Sequence, residues 1–436
     1  MHFLFSALGS AGDVHPFVGI GSQLRERGHR VTLMTNPRFE ELVGRLKLEF
    51  EPVGTAEEFE AVVRNPDLWH PTRGFATVAE FGITATMRRT YELIAGHYVA
   101  GKTVVGGHSL DFGARIAHDK LGIPLATIHL APAVLRSETL PPVLTPWLTG
   151  QWSPRWWVRL EYWLADFLVA DRLLSGPVNA FRRELGLPPV KRFLHRWWHS
   201  PDRVIGLFPS WFAPPQPDWP RQTVLTGFPR WDESEFAELA GEVIDFLEAG
   251  DPPVVFTPGS AMAHGEPFFR AAAGACARTG RRGILLTQFA EQIPTSLPDG
   301  VIHFNYVPFS QLLSRSAAIV HHGGIGTVSQ GLAAGVPQLL MPMAHDQHDN
   351  AVRLRRLGVG SSLRPRAFRA ARVARTLNRL LSSSGVLSRC RDVASRFVGV
   401  GAIGNACDIL EQFGTRGSVP DETSGGTAGL SSSEAW

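Results

Sequence analysis

Three times in this sequence a helical stretch ends on a glycine and hands over to an apolar strand, and that alternation limits the fold more than any other feature. The first instance starts with the apolar run at residues 2–8 and a glycine-containing turn. A helix then opens near Pro16, carries Phe17, Ile20 and Leu24 on one face, and stops at Gly28 before the β-branched run at 29–35. In the second, a helix from Arg115 ends in Gly122-Ile123-Pro124 and leads into the run at 125–130. In the third, a helix over 327–334 ends in Gly335-Val336-Pro337 and leads into 338–343. Helices that repeatedly return the chain to a new strand place those strands in parallel, with helices on both faces, so the fold class is α/β.

At 436 residues the chain is too long for one ordinary core, and its 44% hydrophobic content is enough to fill two. The segment from Ala213 to Glu233 is dense in proline and polar residues and reads as a linker, placing a boundary near residue 220. The expected units are 1–220 and 221–398, each a Rossmann-like βα domain. Helical patterns follow at about 367–382, 386–398 and 402–413. Residues 415–436 are rich in Gly, Ser and Thr and offer almost nothing to bury, so they are expected to be disordered.

The formal charge of +3 comes without concentrated Lys/Arg blocks, which argues against a nucleic-acid partner. Cys276, Cys390 and Cys407 have neither disulfide-framework nor zinc spacing. The N-terminal apolar run has no basic flank and is broken by Gly9, Gly12 and Asp13, so it is not a signal peptide, and no run approaches the length of a membrane span. A soluble, cytoplasmic protein is expected.

Chemistry concentrates after the strand that ends in Val320-His321. There Gly323, Gly324 and Gly326 let backbone approach an anion just before a helix whose N–H groups and dipole favour phosphate. The alternative is a tight turn without a ligand. His322 could donate to a phosphate oxygen or be a satisfied structural histidine. Asp346 and Gln347 open the next helix with the acceptors and donors that grip vicinal sugar hydroxyls, although Asp346 could equally serve as an N-cap. His345 and His348 flank this pair without a third ligand, so no metal site is expected. In the first loop, Asp13 and His15 stand at the carboxyl edge of the sheet, where a carboxylate can take a proton from an acceptor hydroxyl; an N-cap role for Asp13 is the alternative. The loop lacks the middle glycine of the dinucleotide fingerprint, and no acidic residue ends the second strand, which argues against NAD. Thr257-Pro258-Gly259-Ser260 could add a hydroxyl and an N–H to a phosphate. No Asp-x-Asp metal clamp occurs in the chain.

Taken in order, Tyr306-Val307-Pro308-Phe309-Ser310-Gln311, His322-Gly323-Gly324-Ile325-Gly326-Thr327, Gly335-Val336-Pro337, Pro342 and Asp346-Gln347 with Asn350-Ala351 resemble the donor-binding signature of family 1 glycosyltransferases. The similarity is greatest to the bacterial branch with rhamnolipid rhamnosyltransferases, sterol glucosyltransferases and antibiotic glycosyltransferases. The resemblance implies a GT-B fold, two Rossmann-like domains facing across a cleft, with a helix near 399–414 packing back on the first. It implies an inverting transfer of a hexose from a UDP- or dTDP-sugar, with no cofactor and no metal. By position, Tyr306 would meet the base, with Val307 and Gln311 beside it, and Gln330 the ribose. His322, Gly323, Gly324, Gly326, Thr327 and Ser260 would hold the diphosphate, and Asp346 and Gln347 the sugar. Asp13 falls where plant members carry the catalytic histidine; their partner aspartate would fall near Gly107-His108, with Asp111 close but out of register.

The least familiar stretch, 147–198, interleaves Trp147, Trp152, Trp156, Trp157, Trp163 and Trp197 with Arg155, Arg159, Arg172, Arg182 and Arg183. It suits either peripheral contact with the inner face of a membrane or a packed wall around an apolar acceptor pocket. Both favour a hydrophobic acceptor. Two other functions stay open: a nucleotide-sugar epimerase or hydrolase of the same architecture, and a catalytically silent subunit that binds the nucleotide sugar.

Overall fold

The computed structural model describes residues 1–145, 153–236 and 239–416. Trp147, Trp152 and the tail from residue 417 lie outside the described residues. Seven strands, β1 (His2–Ser6), β2 (Arg30–Thr35), β3 (Glu49–Pro52), β4 (Thr103–His108), β5 (Leu125–His129), β6 (Arg203–Gly206) and β7 (Thr223–Leu225), form one parallel sheet in the order β3-β2-β1-β4-β5-β6-β7. Six more, β8 (Val254–Thr257), β9 (Gly283–Leu286), β10 (Val301–Phe304), β11 (Ala318–His321), β12 (Gln338–Leu340) and β13 (Gly360–Ser362), form a second in the order β10-β9-β8-β11-β12-β13. The α/β class with two parallel sheets is therefore observed. Strand order reverses between β1 and β4 in the first sheet and between β8 and β11 in the second. In open α/β sheets the ligand crevice lies at such a switch point, outside the carboxyl ends of the strands.

Local details differ from the sequence reading in three places. The first helix starts at Ala11, not near Pro16, and runs to Glu26. Ser10 caps it and Asp13 reaches back to the Ser10 N–H (2.8 Å) and Oγ (3.1 Å), which closes the first turn ahead of the proline. Pro16 then forfeits only the bond its N–H would have given to the Gly12 carbonyl, at an exposed position. The first sheet extends past residue 220, because Thr223, Val224 and Leu225 pair with Val204, Ile205 and Gly206. The last helix, Ala402–Arg416, keeps Thr415 and Arg416 helical, two positions into the segment assigned to the tail.

That last helix leaves the second sheet and packs on the first. Ala406, Cys407 and Leu410 are buried in the same cluster as Phe5, Phe17 and Ile20. Arg27 binds both Asp408 and Glu411 at 2.6 Å at its edge. A second contact between the domains is apolar: Phe208, Phe212, Trp219 and Phe228 share a core with Val328, Leu332, Leu340 and Leu354.

Because Leu410 is fully buried between the helices, Leu410→Ala should destabilise the protein by about 2–4 kcal/mol. The check is the urea midpoint followed by tryptophan fluorescence; an unchanged midpoint would show that this helix does not support the first core.

Candidate active site

The β1/β4 crevice holds Asp13. Its Oδ2 is tied to Ser10, and the space it occupies exists because residue 9 has no side chain: a Cβ on Gly9 would fall 2.3 Å from that oxygen. Gly9 also has φ +132°, a conformation other residues rarely adopt. At the end of β4, His108 places Nε2 3.8 Å from Asp13 Oδ1. Its Nδ1 accepts the Leu110 N–H at 3.3 Å, which leaves the proton of the neutral ring on Nε2, facing the carboxylate. Burial lowers the His108 pKa, with the Asp13 charge acting against that shift.

Asp111 does not join this pair. It caps the helix Phe112–Leu121, its Oδ1 accepting from Ala114 N–H (3.0 Å) and Thr90 Oγ (2.9 Å), and burial raises its pKa. His15 is directed elsewhere too, 3.7 Å from Glu233 and edge-on to Trp231, with its pKa lowered to about 4 by burial.

The β8/β11 crevice is built from glycine for the same steric reason. His322, directly after β11, is wedged between Gly259 and Gly324, where a Cβ would lie 2.8 Å from Cε1 and 2.5 Å from Nε2 respectively. Burial lowers its pKa to about 4, and its buried Nδ1 has no hydrogen-bond partner. Buried polar atoms are rarely left so; Nδ1 lies on the Gly259 side of the ring, while Nε2 lies beside Gly324, which caps the helix Ile325–Ala333. Gly323, at φ +104°, donates to His321 Nδ1 (3.1 Å) and accepts from Asn350 (2.9 Å), so the turn is braced from both sides. Thr327 and Gly326 lie on the partly open first turn, and Gln330 is buried one turn later. Ser260 is exposed at the rim, its carbonyl accepting from Gln288 (3.0 Å).

Asp346 and Gln347 have divided roles. Gln347 Oε1 accepts from the Met343 and Ala344 N–H groups (2.8 and 3.3 Å), which fills its acceptor and leaves the amide nitrogen for a ligand. Asp346 accepts from Asn350 at 2.7 Å, yet its pKa is raised to about 7, first by burial and then by the charge of Asp13. Farther out, Tyr306 is half exposed, its hydroxyl accepting the Glu233 N–H at 3.4 Å. Val307 is buried, and Gln311 donates to the Ser234 carbonyl at 3.3 Å.

The two crevices face each other. An arm of the first domain crosses to the second, where Trp69 donates to the Ala261 carbonyl (3.2 Å) and stands edge-on to both His322 and His345. His345, at φ +56°, bonds the Leu68 carbonyl at 3.0 Å. A non-glycine residue held in the left-handed region costs about 1 kcal/mol or more and persists where its surroundings demand it. Trp69 was missed in the sequence reading; the available signal was a Leu68-Trp69 pair in a short segment bounded by Pro66 and Pro71. Among the described residues no group of three His, Cys, Asp or Glu side chains is placed to hold a metal ion.

Residues 3–139 match the glycosyltransferase family 28 N-terminal domain, and residues 283–398 the erythromycin biosynthesis protein CIII-like C-terminal domain. Over 441 residues, 95% of this chain and 97% of the relative, the sequence is 30% identical to O-mycaminosyltylonolide 6-deoxyallosyltransferase of Streptomyces fradiae. The chain belongs to the GT-B glycosyltransferases. This glycosyltransferase is also 30% identical to vancomycin aglycone glucosyltransferase of Amycolatopsis orientalis, across 83% of its own length and 85% of the relative. In fold it is similar to the glycotransferase of kitacinnamycin (TM-score 0.71, 19% identity, 94% of this chain and 98% of that one). It is likewise similar to the glycosyltransferase VinC in complex with dTDP (TM-score 0.68, 18% identity, 95% and 100%).

The raised pKa of Asp346 makes a signed prediction. The folded state holds this proton more tightly than the unfolded chain, so the contribution of Asp346 to stability falls as pH rises from about 4 to about 7 and the cost is complete above that. Asp346→Asn carries no such cost. The variant should match the wild type near pH 4 and exceed it at pH 8 by about 2 kcal/mol, a fraction of the full shift because the carboxyl is partly solvated. Thermal melts across pH test this; a constant difference between the two proteins would refute it.

Proposed function

We propose that this glycosyltransferase moves a hexose from a UDP- or dTDP-sugar to a hydroxyl of a hydrophobic acceptor, inverting the anomeric carbon and using no metal. The observation that carries the reading is the glycine turn that sets the His322 ring, its buried Nδ1 unpartnered, directly ahead of a helix start, across from a wall that presents the Asp13 carboxylate. One wall offers donors for a diphosphate, the other a base.

In this reading the acceptor hydroxyl gives its proton to Asp13 Oδ1, since Oδ2 is committed to Ser10. The freed oxygen attacks the anomeric carbon from the face opposite the nucleotide. The bond from that carbon to the diphosphate oxygen breaks, and the leaving charge settles on His322 and the N–H groups at Gly324–Thr327. His108, kept neutral by burial, sets its N–H dipole beside Asp13 without competing for the proton. Asp346 and the Gln347 amide nitrogen hold the sugar hydroxyls, while Tyr306 meets the base and Gln330 the ribose. Relatives named for O-mycaminosyltylonolide and the vancomycin aglycone support an acceptor of the secondary-metabolite kind, and a structural neighbour solved with dTDP supports that donor.

Purified protein with EDTA, a panel of UDP- and dTDP-sugars and polyketide, sterol and lipid acceptors should release nucleoside diphosphate only when donor and acceptor are both present. Equal release without acceptor would instead identify a hydrolase, and no release with any pair a silent subunit. Asp13→Asn should lower kcat by about 10²–10⁴ with little change in donor KM. Gly324→Ala should do the reverse: the added methyl collides with His322, and overpacking of that kind weakens donor binding by roughly tenfold. An Asp13→Asn enzyme with intact turnover would remove the base assignment.

A further inference from the structure

The tryptophan-rich segment divides into two populations. Trp197 is buried against Phe112 and Phe193, with Arg115 and Arg182 over its ring, and belongs to the first domain's core. The helical run 155–173 does the opposite. From Trp156, positions i, i+1, i+7, i+8, i+11 and i+12 are Trp156, Trp157, Trp163, Leu164, Phe167 and Leu168, which the helical period gathers on one side, and all are exposed: Trp156 by 65%, Phe167 by 60%, Trp163 by 50%. Val158, Asp166 and Ala170 face inward instead. Contiguous exposed aromatic and aliphatic surface of this kind marks an interaction site on a soluble protein.

The charges decide what it meets. Every exposed charged residue from 155 to 173 is an arginine: Arg155, Arg159 and Arg172. Two of the acids of the same run are engaged elsewhere, Asp166 buried on Arg136 at 2.7 Å and Asp171 accepting the N–H groups of Arg192 and Phe193, and the third, Glu161, is half-buried against Trp157. Among the described residues only Arg159 of the three has an acidic partner, Glu138 at 2.6 Å. A second copy of the chain docking through this face by a two-fold axis would set arginine against arginine. An anionic lipid surface, by contrast, accepts tryptophan rings at headgroup depth and attracts each arginine.

We propose that the exposed face of residues 155–173 docks the enzyme peripherally on an anionic lipid bilayer. The helix lies in the plane of the interface, with Trp156, Trp163 and Phe167 inserted and the arginines among the headgroups. The inner side of the same helix holds a loop, through Tyr162 to the Ser137 carbonyl (3.0 Å), and Val143 of that loop donates to Asp349 of the second domain (3.1 Å). The inference does not depend on the proposed transfer and is tested without turnover.

Full-length protein is floated with vesicles of phosphatidylcholine alone and of phosphatidylcholine with about one third phosphatidylglycerol. Wild type should float with the anionic vesicles, with a blue shift in tryptophan emission, and release at high salt. The variant combining Trp156→Ser, Trp163→Ser and Phe167→Ser should lose binding to both vesicle types by tenfold or more on this reading, while its melting temperature stays that of the wild type. The variant combining Arg155→Gln, Arg159→Gln and Arg172→Gln should lose only the preference for anionic vesicles, about fivefold per arginine. Equal flotation of the wild type and the aromatic variant overturns the proposal. So does a failure of wild type to float while it forms a concentration-dependent dimer that the aromatic variant abolishes.

Discussion

Phe208 and Phe212, between β6 and β7, and Phe228, just after β7, pack against Val328, Leu332 and Leu354 of the helices that follow β11 and β12. The gap between the sheets takes its width from this contact. Each sheet reverses its strand order once, and each reversal opens a crevice at the carboxyl ends of the strands. Without the shared core those crevices would be two unrelated notches. With it, Asp13 lies close enough to Asp346 for one carboxylate to raise the pKa of the other. A buried ion pair braces the same junction: Arg353 binds Asp349 at 2.6 Å and the Phe212 carbonyl at 3.0 Å.

The site itself is electrostatically quiet for a place that would receive a diphosphate. Burial keeps His321 and His322 neutral, at about 3 and 4, and lowers His345 as well. Among the described residues, no lysine or arginine touches His322 or the turn at Gly323–Thr327, and Arg38 reaches only the rim, where it binds Gln288. Positive potential there comes from backbone N–H groups at a helix start, which need no counter-ion and do not reorganise when charge moves.

Much of this was legible in the sequence because it rests on local chemistry. Glycines before a helix, a Gly-Val-Pro stop and an apolar run are each read within a few residues, so the α/β class, the β11 loop and the Asp346-Gln347 pair emerged from pattern. The first helix was misplaced because Pro16 is a strong local signal, while the Ser10–Asp13 cap that overrides it is a weak one. Trp69 and His108 were hidden for a different reason. Their partners lie far off in the chain, Ala261 and His322 for one and Asp13 for the other, and no periodicity marks a contact across a cleft. The aromatic segment was half legible: composition announced it, but only packing could sort Trp197 into the core and Trp156 onto the surface.

The helix Ala402–Arg416 fills a groove on a domain whose strands lie within the first 225 residues. During synthesis that groove, lined by Phe17 and Ile20, stays open while the whole second domain is made. For that interval the nascent first domain presents apolar surface that its own residues cannot cover, and the second domain can fold in its presence before the last helix closes it. The order in which the ribosome delivers the chain is thus the reverse of the order in which its first core can be completed, so a product truncated anywhere before residue 402 would carry an unfinished domain at its start, whatever the state of the rest.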